Sequence, residues 1–151
     1  MPELKDRLRT DLTAAMKGRD ELTTATLRMV LTAVSAEEVS GKEARELSED
    51  EVQAVLRREA KKRREAAEAY AGAGRAQQAE RERAEEGVIA AYLPAQLGDA
   101  DLAARVADVI TATGAQSMKD RGRVMGAVNA ELAGRAEGGR VAAEVRRQLG
   151  S

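Results

Sequence analysis

Apolar residues recur along this chain at the three-and-four spacing of helices, with no β-branched run alternating in the manner of a strand. Leu4, Leu8, Leu12 and Met16 draw a first stripe that ends at Gly18, and Leu27, Val30, Leu31 and Val34 draw a second, so the first two helices are predicted to pack as a hairpin. Ser48, with Glu51 three residues on, has capping-box spacing and opens a long third helix whose inward positions are Val52, Val55 and Leu56. A break at Gly72 and Gly74 precedes a fourth helix, from about Arg75 towards Tyr92, that is strongly charged until Val88 and Ile89. Pro94 disfavours helix at Leu93 and ends it. Beyond the proline, Asp99 is expected to cap a fifth helix carrying Leu102, Val106, Val109 and Ile110, which Gly114 closes. Ser117 and Asp120 open a sixth in capping-box spacing, and Val141, Val145 and Leu149 mark a last helix after Gly138 and Gly139. The pattern predicts an all-α protein: a four-helix subdomain over residues 1–93 and a three-helix subdomain over residues 94–151.

The sixth helix is the most informative. Counted from Met118 at about 100° per residue, Met118, Val124, Met125, Val128 and Leu132 share one arc of about 120°. On the opposite side lie Lys119, Gly122, Arg123, Gly126 and Ala130. A helical glycine costs roughly 1 kcal/mol against alanine, so two of them four residues apart mark a face that something approaches closely. Phosphate suits a flat surface flanked by cations on adjacent turns. A neighbouring helix packed tightly on the glycines, with Lys119 and Arg123 merely solvated, fits the periodicity equally well. Arg121 falls on the apolar arc, where its stem would cover the core edge. Arg135 and Arg140, beside Gly134 and Gly139, suit either phosphate contact or a helix-terminus role.

Composition narrows the chemistry. The 151 residues are 43% hydrophobic and 34% charged, a globular balance. No apolar run resembles a signal peptide or the roughly 20 residues of a membrane-spanning helix, so a cytoplasmic location without membrane contact is expected. There is no cysteine and no histidine, which removes disulfides, thiolate metal sites and the commonest acid/base of neutral pH. Ser35, Ser40, Ser48 and Ser117 form no convincing nucleophile pair with lysine, and no glycine-rich loop matches a P-loop. No catalytic residue, metal ligand or cofactor is therefore assigned. Tyr70 and Tyr92 are the only aromatic residues, too few for a row of stacked bases. The net charge of -1 argues against a broad non-specific nucleic-acid binder, yet from Gly114 onward seven basic residues face four acidic ones. The run Lys61 to Arg64 sits among Glu59, Glu65 and Glu68, where i,i+4 ion pairs on a solvated face are expected.

Several short motifs together resemble the YqeY-like proteins over nearly the whole chain. They are Leu27-Arg28-Met29, Ala73-Gly74-Arg75, Tyr92-Leu93-Pro94 with Gln96-Leu97, Ser117-Met118-Lys119-Asp120 followed by Gly122 and Val124-Met125-Gly126, and the Gly134-Arg135-Ala136 turn. Their order and spacing carry the resemblance. Glu137 stands where the family usually has aspartate, Gly98 where Ser or Thr is common, and Ser35 to Val39 lacks the usual asparagine. The resemblance implies a two-part all-helical fold whose C-terminal part is related to the tail domain of the GatB subunit of tRNA-dependent amidotransferases. That tail is understood to help hold tRNA, while separate parts activate the aminoacyl-tRNA and supply ammonia.

Three readings follow. The first is a non-catalytic tRNA-binding or amidotransferase-accessory module, in which Lys119, Arg121, Arg123, Arg135 and Arg140 clamp the sugar-phosphate backbone and Gly122, Gly126 and Gly134 allow close approach. Its partners would be tRNA, amidotransferase subunits or other aminoacyl-tRNA machinery. The second is carbon–nitrogen ligase activity with glutamine as amido donor, within an amidotransferase system. The third is a protein–protein adaptor, since the long third and fourth helices present a mixed-charge surface.

Overall fold

A computed structural model describes residues 3–150, and among them it contains seven α-helices and no strand. They are α1 (Glu3–Lys17), α2 (Glu21–Glu38), α3 (Glu49–Gly72), α4 (Ala76–Ala90), α5 (Asp99–Thr113), α6 (Arg121–Leu132) and α7 (Gly138–Leu149), with a single 3-10 turn over Met118–Asp120. The all-α expectation is met. Packing divides the chain into two compact units, one up to Leu93 and one from Pro94.

In the first unit α1 packs on α2, and α3 forms its most extensive contact with α4. Leu4, Leu8, Leu27, Val30, Val34, Val52, Val55, Leu56 and Ile89 make the core, joined by Leu47 from the loop between α2 and α3. Ser48 caps α3 as its sequence spacing predicts: its Oγ accepts the Glu51 N–H at 3.2 Å, and Glu51 accepts the Ser48 N–H at 3.1 Å. Glu51 also pairs with Arg45, and the Arg45 guanidinium, before the cap, holds its carboxyl down at about 2. Glu49 accepts the Leu4 N–H at 2.8 Å, so the start of α1 is tied to the start of α3.

Two expectations for this unit need correction. Met16, counted in the first apolar stripe, is 49% exposed, because α1 reaches past the core at its C-terminal end. The Lys61 to Arg64 run is not wholly a solvated face: Arg63 is 6% exposed. Its guanidinium donates to Glu85 on α4 at 3.2 Å and to Glu59 at 3.0 Å. The i,i+4 pair expected with Glu59 exists, but inside the α3–α4 interface. Ala67 on α3 and Ala79 on α4 are buried as well.

The second unit is a three-helix core of Leu102, Val106, Val109, Val124, Val128, Leu132, Val141, Val145 and Leu149. Gly114 ends α5 in the left-handed conformation at φ 70, where an L side chain would be strained. Asp99 does not cap α5 as expected. Gly98 holds the cap position, and Asp99, already inside the helix, turns its carboxylate to Arg140 at 2.9 Å. The sixth helix likewise does not begin at Met118. Ser117 Oγ accepts the Lys119 N–H at 3.3 Å and closes the 3-10 turn, after which α6 starts at Arg121.

Candidate nucleic-acid interface

The stretch from Ser117 through α6 presents its predicted faces largely as the periodicity requires. Val124, Val128 and Leu132 are buried and Met118 and Met125 half-buried against the core. Lys119, Gly122, Arg123, Gly126 and Ala130 are all exposed. Arg121 departs from its expected place at the core edge. It keeps the phase of Val124 and Val128, but as the first residue of α6 it stands at the helix end and is exposed.

A Cβ built on Gly122 or Gly126 would meet no atom within 4 Å. Among the described residues no helix of this unit packs on these glycines, and neither has a positive φ. The chain's own packing therefore gives no reason for two residues that each weaken α6 by roughly 1 kcal/mol. Around them the charge is cationic but tempered. Asp120 accepts the Gln116 N–H at 3.0 Å and lies 3.2 Å from Arg123. That backbone N–H first, and the Arg123 charge with it, holds its carboxyl below the ordinary aspartate range. Arg123 keeps its side chain 56% exposed, while Lys119 and Arg121 have no ion pair among the described residues.

The remaining candidate residues sit elsewhere in this unit, around the segment that leads into α5. Arg135 and Gly134 follow α6 in a tight turn: Ala133 and Gly134 are both left-handed, at φ 46 and φ 83. Gly134 is thus explained by its backbone. Its carbonyl accepts from Gln96 Nε2 at 3.1 Å, and the Arg135 carbonyl accepts the Leu97 N–H at 2.8 Å. The Arg135 guanidinium donates to the Ala95 carbonyl at 3.3 Å, and that of Arg140 donates to the Leu97 carbonyl at 2.8 Å as well as to Asp99. These contacts clamp residues 95–99 while Leu97 enters the core. So the five candidate cations form two groups. Lys119, Arg121 and Arg123 cluster at the start of α6, and Arg135 and Arg140 are turned onto the chain itself.

Sequence reasoning missed the clamp because its partners are backbone carbonyls, which no side-chain pattern announces. Among the described residues no group of acidic side chains is arranged to hold a metal ion. No helix of the described residues is long and apolar enough to cross a membrane.

Seven helices among the described residues, in two units with a small cationic patch on the second, define an all-helical class of protein. Comparison with known families gives the class its name. The profile of the family described as Yqey-like protein matches residues 5–149, and the chain belongs to that family. No curated protein matches it.

Proposed function

We propose that the second unit binds the sugar-phosphate backbone of tRNA, as a non-catalytic module of tRNA-dependent amidation or related aminoacyl-tRNA chemistry. One observation carries this reading: Lys119, Arg121 and Arg123 are exposed around two glycines over which there is open space. Cations placed beside bare helix backbone suit phosphate oxygens, which accept hydrogen bonds from guanidinium and ammonium groups and tolerate close main-chain approach. The resemblance of this unit to the GatB tail supports tRNA as the nucleic acid. Arg135 and Arg140 serve the module by holding residues 95–99 in place rather than as phosphate ligands. Glutamine-dependent ligase chemistry by this chain alone would lack the usual cysteine or histidine machinery, and such activity belongs in this reading to separate subunits.

Binding of labelled tRNA measured across a salt series tests the proposal. Three phosphate contacts predict a slope of log K against log salt of about -2 to -3. The Lys119→Ala/Arg123→Ala variant should reduce that slope by about 2. Absence of binding at low salt, or an unchanged slope in the variant, would overturn it.

A further inference from the structure

The buried guanidinium of Arg63 meets acceptors of unequal strength. Its Nε donates to Glu85 at 3.2 Å, and its Nη1 to the Glu59 carboxylate and the Glu59 carbonyl, each at 3.0 Å. Its Nη2 points instead to Met29 Sδ on α2, at 3.6 Å. A thioether is a weak acceptor, whereas a charged donor whose side chain is only 7% exposed gains most from an oxygen. One arm of a buried cation is therefore aimed at the poorest acceptor of the set.

Met29 is not enclosed with its partner. It keeps 41% of its surface in water, so small solutes reach it from outside while Arg63 touches it from inside. Because the chain has no cysteine, its methionines are the side chains that two-electron oxidants meet first. At Met29 such an oxidant would find an accessible thioether with a buried cation already turned towards its sulfur.

We propose that Met29 is a site of oxidation by peroxides and that Arg63 holds the resulting sulfoxide. The Sδ lone pair attacks one oxygen of hydrogen peroxide, and the S–O bond forms as the O–O bond breaks. The departing hydroxide takes the proton of the transferred hydroxyl, which leaves sulfoxide and water. Sulfur gives up two electrons and peroxide accepts them. The new oxygen, the negative end of the S–O dipole, lies within reach of Nη2 and replaces a weak acceptor by a strong one. Oxidation then fastens α2 to the α3–α4 pair, the reverse of the usual result, in which a sulfoxide in an apolar setting loosens the packing. The site lies in the first unit and shares no residue with the α6 patch, so it stands or falls independently of the tRNA reading.

Treatment of the folded full chain with hydrogen peroxide, followed by tryptic mass spectrometry and thermal melts, tests the proposal. Residues 29–42 form a tryptic peptide with no second methionine, so its gain of one oxygen reports Met29 alone. The oxidised chain should melt about 2–4 °C above the reduced one, and methionine sulfoxide reductase should reverse the rise. Met29→Leu, whose other methionines still oxidise, should show no rise. Met29→Gln, which brings an amide oxygen towards Nη2 without any oxidant, should melt above Met29→Leu. The proposal is overturned if the 29–42 peptide stays unoxidised while the half-buried Met118 and Met125 gain oxygen. It is also overturned if oxidation raises the melting temperature of the unmutated chain no more than that of Met29→Leu, or if Met29→Gln melts at or below Met29→Leu.

Discussion

Arg63 shows how much a single side chain depends on its surroundings. Four consecutive cations, Lys61 to Arg64, look interchangeable in the sequence, and each has a glutamate at helical spacing or close by. Arg63 alone is carried fully inward, where it is held by Glu59 and Glu85, with Met29 Sδ at 3.6 Å, while the half-buried Arg64 reaches Glu86 on α4 at 3.9 Å. A charged pair in such a place contributes little over an apolar pair of the same shape, but losing one partner leaves the other buried and uncompensated. Arg63→Ala is expected to destabilise the protein by about 3 kcal/mol. Adding Glu85→Ala should recover part of that loss. Urea denaturation of the two single variants and the double checks it: simple additivity would show that the buried pair is not coupled.

At the scale of helices, α3 and α6 make opposite use of local chemistry. The start of α3 has a complete capping box, reinforced by Arg45, and its carboxylate remains ionised far below the usual range. The Arg45 guanidinium and the Ser48 N–H hold the Glu51 carboxyl at about 2, below the ordinary 4.5, so its contribution is fully present above the ordinary value and lost as pH falls through the lowered one. Glu51→Gln should therefore lower stability at pH 7 and flatten the acid limb between about pH 5 and pH 2, with the two proteins converging at the acid end. Thermal melts over that range measure it, and parallel curves would count against the assignment. In α6 the glycines weaken the helix and gain nothing from internal packing. Gly126→Ala is expected to stabilise the protein by about 0.5–1 kcal/mol and, if phosphate approaches the bare backbone, to reduce tRNA affinity. Denaturation and binding on the same variant separate the two effects. The amphipathic faces of α6 were legible from the sequence because burial follows helical phase. Its true start was not, since three residues of 3-10 turn and α-helix differ by only a fraction of a turn and leave no mark in the pattern.

For the whole molecule, the segment after Pro94 decides which residues belong together. Tyr92 and Leu93 pack on the first core, where the Tyr92 hydroxyl donates to Asp11 and burial, with that bond, pushes the phenol upward. Leu97 instead enters the second core, fastened by Arg135 and Arg140. A fragment of residues 94–151 is expected to fold with cooperative helical circular dichroism, whereas residues 98–151, which lack Leu97 and its backbone bonds, should melt broadly or remain unfolded. Equal cooperativity in both would show the clamp to be dispensable. The sequence by itself determined the helical class, the seven helical segments, the Ser48 cap and the break at Pro94, since each arises from neighbours a few residues apart and from backbone preferences that act locally. Tertiary structure alone decided that Arg63 is buried, that Arg135 and Arg140 hold carbonyls about forty residues away, that Asp99 serves Arg140 rather than a cap, and that Gly122 and Gly126 lie open. Those outcomes depend on which helix faces arrive opposite one another, and a polar group that is thereby desolvated must find its hydrogen-bond partners there.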